Sequence, residues 1–296
     1  MTADPDAPFI PTIMDLDEDV VMGHEFSAEV VELGANTGNC QVGDVVVSIP
    51  IVLDPTGVHP VGYSNLFPGG YGELMVLTDP LVLKVPNGLH PRLAALTEPM
   101  AVGVHAVNRS GIAPGGPALV LGCGPVGLAV VAGLRLHGVD SIVAADFSPA
   151  RRELAVRMGA AEAVDPRQER AIDAWRRIGG PSNGGPLTIF EAVGVPGMLD
   201  DAMRMAPRDA RIMVVGVCME RDTIRPMRGI TRELTIGFAL GYDPMEFADT
   251  LRRIAEGELD VAPLITGSVP VDGVAGAFEA LADPDAHAKI LVEPER

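Results

Sequence analysis

The sequence predicts an α/β protein built on a six-stranded, doubly wound parallel sheet, with a smaller, discontinuous, mostly β domain attached. Three observations carry this. Apolar strand-like runs alternate with helical segments from Ala118 to Phe238, and a glycine-rich turn, Gly122-Cys123-Gly124-Pro125-Val126-Gly127, joins the first of those runs to a helix. The stretch before residue 100 shows instead short β-type runs separated by Gly, Pro and Asn turns, without helical periods.

In the alternating region strands are expected at 118–121, 141–145, 163–164, 187–190, 211–215 and 234–238, with the first helix over 128–136. The turn between strand and helix has the chemistry of a dinucleotide-phosphate cradle. Gly122 allows a tight exit from the strand, Gly124 lets backbone lie against a pyrophosphate, and Gly127 permits close helix-to-strand packing; Pro125 and Val126 complete the loop. The helix N-terminus offers free N–H groups and a partial positive charge to the phosphates. Asp146 closes the second strand, where a carboxylate accepts hydrogen bonds from the adenosine ribose and repels a 2′-phosphate, so the expected cofactor is NAD rather than NADP. Arg151 and Arg152 follow on the next helix; they are cations near the ribose, but the acid occupies the deciding position. That helix is marked by Ser148 as N-cap, Pro149 in the first turn, Leu154 and Met158 on one face and Gly159 as its stop. Glu191, Val193, Gly216 and Val217, at or just after strand ends, are expected to line the nicotinamide side.

Before the sheet, β runs are expected at 25–33, 44–49, 72–77 and 81–85. After it, Asp243-Pro244-Met245-Glu246 reads as a capped helix start with Phe247, Leu251 and Ile254 on one face, followed by a helix over 274–281 and a strand over 289–292. This tail is too small for a third domain. It is expected to return to the first, giving one domain from 1–100 and 241–296, a dinucleotide domain over 101–240, and an active site in the cleft between them.

Composition sets the class of partner. With 22 basic and 40 acidic side chains among 296 residues, the net charge of −18 opposes nucleic acid and anionic lipid and favours a small-molecule role. Cys40, Cys123 and Cys218 make no disulfide framework, which points to a reducing cytoplasm. No basic segment followed by an apolar core opens the sequence, and no apolar run is long enough to span a bilayer. The run 234–238 reads as the apolar outer strand of the sheet, without charge or proline to blunt its edge, so a homodimer or homotetramer is expected.

The unusual string in the first domain is Met22-Gly23-His24-Glu25-Phe26. Neighbouring strand residues point to opposite faces, so both side chains reach one metal only where the chain bends, which Gly23 allows. A lone His-Glu pair is more often a hydrogen-bonded histidine at a domain edge. Glu98 changes that balance, because it lies in an otherwise apolar stretch where an unpaired carboxylate is costly.

Gly-His-Glu at 23–25, Gly-Asp-Val-Val-Val at 43–47, Gly-Gly-Tyr-Gly-Glu-Leu at 69–74, Glu-Pro-Met-Ala-Val-Gly-Val-His-Ala at 98–106 and the loop at 122–127 together resemble the zinc-containing medium-chain alcohol dehydrogenase family, whose β domain is of the GroES-like type. Glu98-Pro99 is similar to its sorbitol and threonine dehydrogenase branch. The resemblance implies a catalytic zinc that binds an alcohol oxygen while hydride passes to NAD, with His24, Glu25 and Glu98 as the catalytic and metal-ligating residues. Two departures matter. The family's first zinc ligand is a cysteine well upstream of Gly-His-Glu, followed by a relay Ser or Thr, and the 22 residues before Gly23 contain no cysteine. The expectation is a member lacking the first strands of its β domain and holding its catalytic zinc loosely. The loop from Ile49 to Pro68 also has no cysteine, so no structural zinc is expected. A zinc-free quinone-type reductase and a non-catalytic NAD-binding protein are the rival readings. Elsewhere His105 reads as a packed helix residue; His59, His90, His137 and His287 as surface or turn residues; Cys123 as turn filler; and Met14, Met22, Met203, Met205 and Met213 as core filler.

Overall fold

The computed structural model describes residues 14–15, 17–35, 37–178 and 185–294. The first thirteen residues of the expected first domain lie outside it. The N-terminal region carries strands β1 (Ala28–Glu29), β2 (Val45–Ser48), β3 (Ile51–Asp54), β4 (Gly57–Pro60) and β5 (Val82–Lys84), then helices α1 (Pro91–Ala94) and α2 (Thr97–Ser110). β2 lies between β1 and β5 in an antiparallel sheet, and β3 and β4 form a separate hairpin.

Here the sequence reading is corrected in three places. The run expected over 25–33 is a strand only at Ala28–Glu29; 72–77 forms no strand; and the stretch 49–68, read as a loop, contains the β3–β4 hairpin. The stretches just before these two segments are joined loop to loop instead of by a ladder. Gly69 N–H donates to Val21 O, Gly70 N–H to Gly23 O and Tyr71 N–H to Met22 O, at 2.8, 2.8 and 2.9 Å.

The central sheet follows as expected: β6 (Ala118–Leu121), α3 (Pro125–Leu136), β7 (Ile142–Ala145), α4 (Pro149–Arg157), β8 (Glu162–Val164), α5 (Ala171–Arg177), β9 (Thr188–Glu191), α6 (Met198–Met205), β10 (Arg211–Val214), α7 (Pro226–Arg232) and β11 (Thr235–Phe238). All six strands are parallel in the order β11-β10-β9-β6-β7-β8, so the chain reverses direction of travel between β6 and β9 and opens a crevice at their C-terminal ends. Both faces are apolar. One packs Val120, Ala144 and Phe190 against α2 and α3, and the other packs Leu119, Val143 and Ile189 against α5 and α6. α3 begins at Pro125, three residues before the expected start, because proline at N1 has its φ preset for the helix and lacks an N–H that would go unused there.

The tail comprises α8 (Pro244–Ala255), β12 (Ile265–Val269), α9 (Val274–Leu281) and β13 (Lys289–Val292). β12, absent from the sequence reading, pairs parallel with β13. Asp243 and Glu246 form the expected capping box, and Phe247, Leu251 and Ile254 are buried. Phe247 and Leu251 share a cluster with Val47 of β2, Ala94 of α1 and Ala101 of α2, so this tail packs on the N-terminal region. No described helix is long and apolar enough to cross a membrane.

Candidate active site

Gly23 makes the bend that the sequence called for. Its φ is +101°, a backbone region closed to most L-residues, and a Cβ there would meet Tyr71 N at 2.9 Å. His24 and Glu25 thereby leave the chain toward a common point, and α2 delivers Glu98 to the same point from its first turn. One ligand atom from each of the three residues lies within 4.8 Å of the others. Neither His24 nor Glu25 stands in a regular strand, which is why the period-two rule does not separate them.

The electrostatics follow from burial. Glu98 is 9% exposed, and burial, reinforced by the charge of Glu25, pushes its carboxyl up to about 7; a hydrogen bond from Tyr242 and the charge of Lys289 oppose the shift. Burial also lowers the pKa of His24, which favours the neutral imidazole a metal needs. Lys289 of β13 makes an ion pair with Glu25 Oε2. Tyr63 lies against the His24 ring, with centroids 5.0 Å apart and an interplanar angle of 36°. Two converging carboxylates, one of them buried, beside a neutral imidazole suit a divalent cation. Three oxygen and nitrogen donors leave room for water or substrate.

At the C-terminal end of β6 the Gly122–Gly127 turn leads into α3. A Cβ on Gly127 would fall 1.9 Å from Gly122 O, so this glycine is a packing requirement of the turn. A Cβ on Gly124 would meet nothing within 4 Å; the space beside it is open to a ligand. Pro125 and Val126 begin α3, whose free N–H groups face that opening. Asp146 is fixed by two backbone donors, Cys123 N–H to Oδ2 and Ser148 N–H to Oδ1, each at 2.8 Å, and both oxygens keep acceptor capacity. Ser148 caps α4 as expected and also donates from its hydroxyl to Pro284 O (3.0 Å). Arg151 Nε is buried without a hydrogen-bond partner, and the side chain lines a cavity of about 180 Å³ between α4 and residues 284–288. None of His24, Glu25 and Glu98 borders that cavity.

Val193 and Val217 are exposed beyond β9 and β10, and the backbones of Gly194 and Gly216 press together beneath them. Glu191 does not face the crevice as a free acid. Its Oε1 accepts from Val193 N–H and Gly194 N–H at 2.7 and 2.9 Å, bracing its own loop. Two further readings change: His59 has an acidic partner, Asp54, at 3.1 Å, and Met22 is 41% exposed rather than core. His105 is the packed helix residue expected, set on α2 and paired with Glu246 at 2.7 Å, which ties α2 to α8. Cys123 is fully buried with its thiol pushed up to about 12 by burial, which fits turn filler. The sequence reading missed Tyr63, Tyr242 and Lys289. Only Lys289 left a trace there, as a charge opening the apolar strand Lys289–Val292.

Models of two families match the chain: the alcohol dehydrogenase GroES-like domain over residues 6–87 and the zinc-binding dehydrogenase domain over 125–256. An (R,R)-butanediol dehydrogenase of Bacillus subtilis is 34% identical over 286 residues, covering 93% of this chain and 81% of the relative. The chain belongs to the zinc-type medium-chain alcohol dehydrogenases. A sorbitol dehydrogenase of the same bacterium is 27% identical to this dehydrogenase over 294 residues, again with 93% and 81% covered. The crystal structure of the Bacillus subtilis butanediol dehydrogenase superposes on it with a TM-score of 0.82 at 33% identity, covering 93% and 81% of the two chains. A zinc-binding dehydrogenase of Sinorhizobium meliloti, bound to NADP, gives a TM-score of 0.79 at 26% identity over 93% of this dehydrogenase and 84% of that chain. As a member of the family this dehydrogenase is an oxidoreductase acting with a nicotinamide cofactor.

Proposed function

We propose that this dehydrogenase oxidises a small alcohol or polyol with NAD, in a cleft between a discontinuous GroES-like domain (1–100 and 241–296) and the dinucleotide domain (101–240), as a cytoplasmic homodimer or homotetramer. The observation that carries the reading is the convergence of His24, Glu25 and Glu98 in a molecule that also presents an open glycine turn and an anchored Asp146. Zinc, when bound, would supply Lewis-acid polarisation of the alcohol oxygen and lower its pKa. His24, Glu25 and Glu98 would hold it. His24 serves as the neutral imidazole, Lys289 fixes one oxygen of Glu25, and the Tyr242 hydroxyl orients Glu98, which can keep or release a proton near neutral pH. Asp146 accepts from the adenosine ribose; the open space at Gly124 and the N-terminus of α3 take the pyrophosphate. With no thiolate among the described candidate ligands, a metal would be held by harder and weaker donors.

The test combines metal analysis with NAD-linked dehydrogenation of a panel of diols and secondary alcohols. The expected result is about one zinc per chain in zinc-supplemented buffer, removable by a mild chelator, with turnover that follows the metal and is lost in His24→Ala. NAD binding without metal and without turnover in any zinc concentration would favour the non-catalytic reading instead.

A further inference from the structure

The cavity between α4 and residues 284–288 has no part in the chemistry described so far. Neither His24, Glu25 and Glu98 nor the Gly122–Gly127 turn and Asp146 border it, so it lies apart from both the metal cluster and the phosphate turn. Its volume is about 180 Å³. An engineered cavity of about 150 Å³ admits benzene, whereas pockets for drug-sized ligands run from roughly 300 to 1,000 Å³. The space therefore suits a small molecule and is too small for a dinucleotide.

Its walls carry cations that the chain leaves unanswered. Arg151 Nε is buried without a hydrogen-bond partner, and neither Arg151 nor Arg157 pairs with a described carboxylate. Acids outnumber bases 40 to 22 in this sequence, and the neighbouring Arg152 and Arg167 both pair with Asp165. A buried guanidinium N–H without an acceptor forfeits the bond that water gave it in the unfolded chain. Arg151 also stands in the first turn of α4, at the positive end of that helix. The two acids on the lining do not cancel this. The Asp285 carboxylate accepts from the Ser148 hydroxyl, and Glu153 is exposed, where solvent screens its charge. His287 completes the polar lining, its Nδ1 3.3 Å from Thr266 Oγ1.

We infer that this cavity is a second ligand site, taking a small doubly charged oxyanion on Arg151 and Arg157. Guanidinium forks match the paired oxygens of carboxylate and phosphate groups, and two unanswered cations match two negative charges. The ligand joins two parts of the chain. One wall is α4; the other is the segment entering β13, where Thr266 Oγ1 accepts from Ala288 N–H and Lys289 N–H at 3.0 and 3.2 Å. That segment sets the lysine that pairs with Glu25, so an anion in the cavity ties the nucleotide side of the molecule to the metal side.

The test is calorimetric titration of the wild-type protein with inorganic phosphate and with malonate, in a buffer free of both, with and without saturating NAD. At least one of the two anions should bind, at one site per chain. Tighter phosphate identifies the natural ligand as a phosphate ester, and tighter malonate identifies it as a dicarboxylate. Arg157→Gln alters an exposed side chain, so its Tm in anion-free buffer should be that of the wild type, while the anion should bind about tenfold more weakly or worse. The anion should also raise the Tm of the wild type more than that of Arg157→Gln. The inference is overturned if neither anion binds at millimolar concentration or if Arg157→Gln binds it as tightly as the wild type. It is also overturned if NAD displaces the anion, which would place it in the cofactor site. Every measurement reads binding and not turnover, so a failure of the dehydrogenase reading shows separately.

Discussion

Glu98 carries a carboxyl raised from 4.5 to about 7 inside the first turn of α2. A folded-state value above the unfolded one means that the folded metal-free protein holds a proton the unfolded chain has released. Stability from this group is therefore undiminished below pH 4.5, falls as pH rises through 4.5 to 7, and stays lower above that. The loss is on the order of 3 kcal/mol. Urea titrations of metal-free protein at pH 5 and pH 8 should show it, Glu98→Gln should flatten it, and zinc should offset it at pH 8. Asp146 makes a second residue-level claim. Asp146→Ala should weaken NAD by about 1.5 to 3 kcal/mol, roughly 10- to 150-fold, and narrow the gap to NADP. Unchanged affinity in calorimetry would remove Asp146 from the ribose. His24, Glu25, Glu98 and Asp146 were all readable from the chain, because each stands where its chemical type is unusual: an imidazole beside an acid, an acid in an apolar run, an acid ending a strand. Tyr63 and Lys289 were not, since a tyrosine in a loop and a lysine at a strand end are ordinary until tertiary packing sets them beside His24 and Glu25.

At the scale of elements, α2 joins the two ends of the chemistry. Its first turn holds Glu98, and its middle crosses α3 so closely that a Cβ on Gly103 would lie 2.4 Å from the carbonyl carbon of Ala129. α3 in turn begins at the phosphate turn. Gly103→Val should therefore push the helices apart, destabilise the fold by about 2 to 4 kcal/mol in denaturant titration, and weaken metal and NAD together. Independent changes in the two affinities would show that the helix pair does not couple them. The sheet strands and α4, α8 and α9 were legible because apolar runs, caps and helical periods are local signals. The N-terminal region was not. Its segments at 21–24 and 69–71 are held by backbone hydrogen bonds between glycine-rich loops, and such pairing leaves no alternation in the side chains.

For the molecule as a whole, β11 is the outer strand of the parallel sheet, and Phe238 at its end is 62% exposed, with Met227 and Ile230 of α7 also exposed. An uncovered apolar edge of this kind is expected to pair with a second copy. Light scattering at micromolar concentration should give at least a dimer, and Phe238→Lys should shift it toward monomer; a wild-type monomer would refute the expectation. The ion pair between Glu25 and Lys289 has a consequence of another sort, in time rather than in space. The ribosome releases Glu25 before the first strand of the parallel sheet and Lys289 after the last. Domains fold as their residues emerge. The nucleotide end of the molecule can thus be finished while the metal end still lacks the lysine that steadies it, so a nascent chain halted before β13 should capture nicotinamide cofactor well and zinc poorly.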